Sequence, residues 1–362
     1  MQPIAAGSRP DWTAAQLCDD PAWIFGLSEM QASDLLGATR AAYREGRSLL
    51  DYRREEFDLG RARPTLAAAF AEQRDGRGVA LVRNLPREAV SEDEFQLMTW
   101  AIGLHFGVAR PQGKQTHYVS RVANAGNAYR TGTGRGYNSN AELDFHTDTC
   151  DVVLLACYND ALSGGMSLCS SSLAVHNAMA REHPDLAERL HDSFCFSRQG
   201  EQAADEAAFL TCPVVAQQDG RVFARWNRNR LKHAQGLPGV APLTAEQTAA
   251  LALLDSLLNS QDLMASMWLR PGDLQLMNNH AAIHSRTEFE DHADPAKRRL
   301  LFRLWLAPPD SHRLPESFRD AFKNVEPGTV RGGFIGQHHD AECRAFEARQ
   351  AAALGMRFSQ NA

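Results

Sequence analysis

Arg298-Arg299-Leu300-Leu301-Phe302-Arg303-Leu304-Trp305-Leu306 is the stretch on which the fold turns. Read with a period of two, Leu300, Phe302, Leu304 and Leu306 share one wholly apolar face, and Arg299, Leu301, Arg303 and Trp305 share the other. A strand covered on both faces belongs in the wall of a sandwich, where two arginines need anionic partners. A guanidinium offers a fixed fork of donors suited to a carboxylate. The alternative is an edge strand whose arginines face water; Trp305 on the same face counts against it.

Working outward, the neighbouring segments also read as strands. Asp151 to Tyr158 is an apolar run of strand length, followed by the turn Ser163-Gly164-Gly165-Met166-Ser167 into another strand. Pro271-Gly272-Asp273 turns into a strand that delivers Asn278 and Asn279 toward His284. Gly78 to Pro86 is a strand stopped by proline, and Gln218-Asp219-Gly220 marks a hairpin between Val214 and Trp226. Helices are expected over 28–46, 65–72, 91–102, 173–190 and 244–258. Ser91 with Glu94, and Thr244 with Gln247, have capping-box spacing. The expected organisation is α+β in a single catalytic domain over 1–362. A helical lead spans 1–75 and a jelly-roll core spans 78–308. The core carries a helical insert over about 173–258, and an irregular extension follows over 309–362. The Gly-, Asn- and Arg-rich segment 110–140, with Tyr118, Tyr129 and Tyr137 spaced through it, reads as a lid, or else as an insertion without a role.

Glu142-Leu143-Asp144-Phe145-His146-Thr147-Asp148 carries the chemistry. On an extended backbone, side chains two apart leave from one face, so His146 and Asp148 can converge on one metal ion. His284, far downstream, is the candidate third ligand. Two imidazoles and a carboxylate on one face leave the opposite face open, which suits non-haem Fe(II). His105, His117 and His233 have no partner at metal-ligand spacing and His292 lies in a charged loop, so these read as packing or surface residues; His280, close to His284, is a competing candidate. Cys150 lies near these ligands, but the seven cysteines form no Cys-x-x-Cys pair, and it reads as a small buried hydrophobe in a reducing compartment.

Composition narrows the classes further. A net charge of −6 argues against a nucleic-acid footprint, which would need a basic stripe. No apolar run reaches membrane-span length, and residues 1–12 carry no secretory pattern, so a cytoplasmic location is expected.

His146-Thr147-Asp148, Gly164-Gly165-Met166-Ser167, Asn279 to His284 and the Arg299/Arg303 pair together resemble the iron(II)- and 2-oxoglutarate-dependent dioxygenases of the taurine dioxygenase and clavaminate synthase type. The similarity runs from about Gly78 to Pro308. It implies a double-stranded β-helix, and it implies His146, Asp148 and His284 as iron ligands. It further implies Arg299 as the partner of the far carboxylate of 2-oxoglutarate, with Ser167 beside it where the family usually has threonine. Arg303 is the implied substrate contact, and Tyr137 and Asn279 are further substrate-binding candidates; for Arg303, a structural salt bridge to a carboxylate such as Asp144 stays open. The implied reaction uses 2-oxoglutarate and O2, releases succinate and CO2, and oxidises an aliphatic C–H of a small polar molecule, by default through hydroxylation. A metal-dependent hydrolase and a non-catalytic jelly-roll binding module are the rival readings. Neither gives Arg299 a dicarboxylate to hold.

Overall fold

The computed structural model describes residues 11–126 and 136–359. Its main sheet has seven strands. Val79–Arg83, Leu274–Asn278, Val152–Asn159 and Leu300–Ala307 lie side by side at its centre, each antiparallel to the next. Ile24–Gly26 adds a parallel strand at one edge. At the other, Val108–Arg110 and Val119–Val122 both pair with Leu300–Ala307. A smaller sheet places Ser167–Ser171 between Met264–Met267 and Ala282–Arg286, antiparallel to both.

The period-two pattern of Leu300–Ala307 decides how these layers stack. Phe302, Leu304 and Leu306 pack with Ala80, Val82, Leu154 and Leu276 against the helices Ala62–Asp75 and Glu92–Phe106. Burying a side chain such as Phe302 is worth roughly 1.5–3 kcal/mol. On the opposite face, Leu301 and Trp305 join Val79, Leu81 and Met277 with Cys169, Ala265 and Met267 of the smaller sheet. The two sheets therefore face each other across a shared core, the jelly-roll arrangement expected from the sequence.

A third core covers the outer side of the smaller sheet, where Leu168 and Ile283 meet the inserted segment. The sequence places one hairpin, between Val214 and Trp226, in this otherwise helical insert; the structure holds it and adds a second. The insert contains the hairpins Phe194–Ser197 with Phe209–Cys212 and Val215–Gln218 with Arg221–Ala224, besides the helices Ser172–Glu182, Pro184–Arg189, Arg228–Ala234 and Ala245–Leu258. Asp219 and Gly220 both take positive φ, which a two-residue hairpin turn requires. Pro184 splits the expected 173–190 helix in two, because it cannot donate to the preceding turn. The capping boxes Ser91/Glu94 and Thr244/Gln247 form as their spacing requires.

Two expectations need correction. The 110–140 segment is not a free lid in its first part, since Val119–Val122 is sheet; residues 127–135, Tyr129 among them, lie outside the described residues. The C-terminal extension is not irregular either. It contains the helix Ala341–Ala353, whose inner face carries Cys343, Phe346, Glu347, Gln350 and Ala351. Glu347 pairs with the fully buried Arg110 at 2.8 Å and accepts from the Tyr118 hydroxyl at 2.7 Å, which ties this helix to the sheet edge. No described helix is long and apolar enough to cross a membrane.

Candidate active site

His146 and His284 face each other across an antiparallel bridge. Each donates its backbone N–H to the other's carbonyl, at 2.8 and 2.9 Å, so their side chains leave on one side. The ring centroids lie 4.5 Å apart. Asp148 follows two residues after His146, and one ligand atom from each of the three lies within 4.8 Å of the others.

The protonation states suit a metal. His146 Nδ1 lies 2.9 Å from the Asp144 carbonyl; the geometry assigns the proton there and leaves Nε2 with its lone pair. Burial pushes His284 down to about 3, helped by the His146 ring, so it stays neutral, and its buried Nδ1 has no hydrogen-bond partner among the described residues. Burial alone would raise the Asp148 carboxyl. The Arg303 guanidinium, and the Trp305 indole, which donates to Oδ2 at 3.0 Å, instead hold it below the usual carboxylate range. Two imidazoles and one carboxylate, with a buried nitrogen unsatisfied, form a donor set that fits Fe(II).

Arg299 lines the same cavity as the three ligands. It is 6% exposed, burial pushes it down to about 10, and its Nη1 is buried without a hydrogen-bond partner among the described residues. Its ring neighbour is Phe289, with the guanidinium carbon 4.9 Å from the centroid. The Gly164-Gly165 turn makes this approach feasible. Gly165 has φ of +76°, and a Cβ there would come within 3.1 Å of Arg299 Nε. Ser167 also lines the cavity, and its hydroxyl accepts from the Gln275 side-chain amide at 2.9 Å.

The expected substrate contacts fare differently. Arg303 and Tyr137 line the cavity, with the guanidinium 5.0 Å from the Tyr137 ring and 4.9 Å from that of Trp305. Arg303 has a protein carboxylate within reach, and it is Asp148 at 3.5 Å rather than Asp144; its Nε donates to Gln112 at 2.8 Å. Asn279 is not on the cavity wall. It supports the ligand turn instead: its amide oxygen accepts from the Asp148 N–H and its amide nitrogen donates to Cys150 Sγ, both at 3.0 Å. Burial raises the Cys150 thiol well above its ordinary value, which keeps it protonated.

Several residues that sequence patterns did not single out shape the site. Arg331 makes a buried fork onto Asp151, at 2.8–3.1 Å, and His280 Nε2 stands 2.9 Å from the same carboxylate. This network sits three residues beyond Asp148. Gly333 N–H bonds the Thr149 carbonyl at 2.6 Å, and a Cβ on Gly332 would come within 2.8 Å of it. Glu201, Arg230 and Phe334 complete the cavity wall from the insert and the C-terminal segment. Their partners are remote in sequence, so no local spacing betrays them.

Comparison with known proteins fits this geometry. The chain is 27% identical over 316 residues to the FR-33289 synthase of Streptomyces rubellomurinus, covering 85% of this chain and 92% of that one. It is 25% identical over 319 residues to a taurine hydroxylase-like protein of Stachybotrys chartarum, covering 82% and 80%. Among solved structures, an asparagine oxygenase in complex with Fe(II), 3-hydroxyasparagine and succinate superposes with a TM-score of 0.58 at 19% identity, over 78% of this chain and 93% of that one. The non-haem iron oxygenase OrfP in complex with Fe and α-ketoglutaric acid gives 0.58 at 15% identity, over 78% and 94%. Residues 45–305 match the taurine catabolism dioxygenase TauD, TfdA family, and the chain belongs to that family.

Proposed function

We propose that this chain is an Fe(II)- and 2-oxoglutarate-dependent dioxygenase that hydroxylates an aliphatic C–H of a small polar molecule, with release of succinate and CO2. The observation that carries the reading is the convergence of His146, Asp148 and His284 in one cavity with the unpartnered Nη1 of Arg299. A metal-dependent hydrolase would use the triad but leaves that buried guanidinium without a purpose. Membership of a dioxygenase family supports the same reading.

His146, Asp148 and His284 would hold the iron, which when bound supplies the oxygen activation that no amino-acid side chain provides. The chain's own contribution is binding, charge placement and exclusion of water. The Asp144 carbonyl fixes the His146 ring through Nδ1, and burial keeps His284 neutral and able to donate a lone pair. Trp305 and Arg303 keep Asp148 ionised and aimed. Arg299 would grip the distal carboxylate of 2-oxoglutarate, with the Ser167 hydroxyl beside it. Leu301, Trp305 and Phe334 give the cavity apolar walls that limit water around the reacting groups.

The helical lead, insert and C-terminal helix belong, in this reading, to one catalytic unit. A cytoplasmic setting is part of it, supported by seven cysteines none of which pairs with another. The test is conversion of 2-oxoglutarate to succinate by the purified protein. It should require added Fe(II) and oxygen and disappear in the His284→Ala variant; turnover indifferent to Fe(II) would overturn the proposal.

A further inference from the structure

The two oxygens of the Asp148 carboxylate have unlike surroundings. Oδ2 accepts the Trp305 indole N–H at 3.0 Å. Oδ1 has the Arg303 Nη1 at 3.5 Å, too far for a well-formed hydrogen bond. One oxygen is capped and the other is left available. The indole that caps it is buried and fixed on several sides. Trp305 sits within its strand opposite Val153 on one neighbour and Arg110 on the other. Its ring has the Arg303 guanidinium carbon 4.9 Å from the centroid, and the Phe334 ring 5.9 Å away, tilted by 55°. Phe334 comes from beyond the family-matched residues 45–305. Its N–H donates to the Pro111 carbonyl at 2.8 Å, and the N–H of Gly333 donates to that of Thr149, next to Asp148. Burial alone does not impose such a bond on an indole. The buried N–H groups of Trp100 and Trp226 have no hydrogen-bond partner among the described residues.

We propose that Trp305, backed by Phe334, is a positioning residue that restricts Asp148 to ligation through one oxygen and so keeps a coordination position open for O2. The inference rests on the dioxygenase reading of the same cavity. A carboxylate can meet a metal through one oxygen or through both. Two imidazoles and one carboxylate oxygen occupy one face of an octahedral ion and leave the opposite face free. Chelation by the keto and carboxylate oxygens of 2-oxoglutarate then leaves a single position on that face. A second Asp148 oxygen on the metal would consume it. Trp305 opposes that outcome by satisfying Oδ2 in advance. To chelate, the carboxylate would have to give up a charge-assisted hydrogen bond and leave a buried indole N–H unpaired. Phe334 limits how far the indole can turn away, so a strap outside the family-matched segment bears on the ligation of the metal.

The test is nitric oxide binding, followed by electron paramagnetic resonance, to protein loaded anaerobically with Fe(II) and saturating 2-oxoglutarate. Nitric oxide takes the position that O2 would and reports on it without turnover. Wild type should give the nitrosyl signal from nearly all of its iron. Trp305→Phe keeps an aromatic ring in the core and removes the donor. It should bind Fe(II) at least as tightly as wild type, because a second oxygen joins the metal, yet lose tenfold or more in nitric oxide affinity, equivalent to about 1.4 kcal/mol. Phe334→Leu, which keeps the donor and loosens its backing, should show a smaller loss in the same direction. A merely structural Trp305 would lower the melting temperature or the Fe(II) affinity and leave the nitric oxide affinity of the loaded fraction unchanged. Weakened Fe(II) binding, or unchanged nitric oxide affinity, in Trp305→Phe therefore overturns the proposal. If that variant does not fold, Phe334→Leu decides by the same two readings. Failure of wild type to take up Fe(II) and 2-oxoglutarate together would overturn the dioxygenase reading itself, whereas uptake with indifferent variants would overturn only the role of Trp305.

Discussion

Replacing Arg331 with methionine should destabilise the protein and loosen the metal-ligand turn together. Arg331 is 1% exposed and sends Nε and Nη2 onto the Asp151 carboxylate, itself 4% exposed, while also donating to the carbonyls of His312, Val325 and Glu326. Breaking a buried ion pair from one side costs about 3–5 kcal/mol. With an unfolding entropy of about 2.1 cal/mol/K per residue, 362 residues lose about 0.8 kcal/mol per degree near Tm, so Arg331→Met should lower Tm by roughly 4–7 °C. His280, 2.9 Å from Asp151, stays as a partner and places the loss toward the lower end.

The pH dependence gives the prediction a sign. Burial opposes the ionised form of Asp151, yet Arg331 and His280 hold its carboxyl well below the usual range in the folded state. A depressed folded value means stability that is fully present above the unfolded value, near 4, and lost as pH falls through the folded value. Without Arg331 the buried carboxyl shifts upward and is relieved by protonation. The gap between wild type and variant should therefore narrow as pH falls from 7 toward 4. The assay is urea denaturation across that range, combined with a double-mutant cycle using Asp151→Asn. A coupling of about 0.5–3 kcal/mol is expected. Strict additivity, or a gap that widens in acid, would refute the reasoning.

Two further substitutions probe the 2-oxoglutarate end. Arg299→Ala should raise the KM for 2-oxoglutarate at least tenfold, from loss of a charge-assisted bond worth on the order of 1.5–3 kcal/mol, while Arg298→Ala, at an exposed position ahead of the strand, should not. Gly165→Ala should also raise that KM without changing Fe(II) affinity. Its Cβ would press on Arg299 Nε at a φ of +76°, a conformation that costs an L residue roughly 1–2 kcal/mol. An unchanged KM in the alanine variant would show that Arg299 does not need that close approach.

Much of the scaffold was legible because its signals are local. The alternation of Leu300–Leu306 sorts correctly into a helix-covered face and an inter-sheet face, and His-x-Asp needs only an extended backbone to bring both side chains to one side. Capping boxes and the Asp219-Gly220 turn are likewise decided within four residues. The C-terminal helix escaped because its inner face carries Glu347 and Gln350, whose burial depends on Arg110, Tyr118 and backbone carbonyls far away in sequence. Asn279 was misread for a related reason. Its side chain satisfies the Asp148 N–H, and such a contact leaves no trace in periodicity. Arg331, Glu201 and Arg230 act through partners 180 and 29 residues away, distances at which spacing carries no information.

The most direct measurement is an anaerobic titration of Fe(II)-loaded protein with 2-oxoglutarate, following the metal-to-ligand absorption band. Wild type should develop the band to a one-to-one end point. His284→Ala should give none, and Arg299→Ala should reach the same amplitude only at higher 2-oxoglutarate. A band of wild-type strength in His284→Ala, or no band in wild type, would contradict an iron site built from His146, Asp148 and His284.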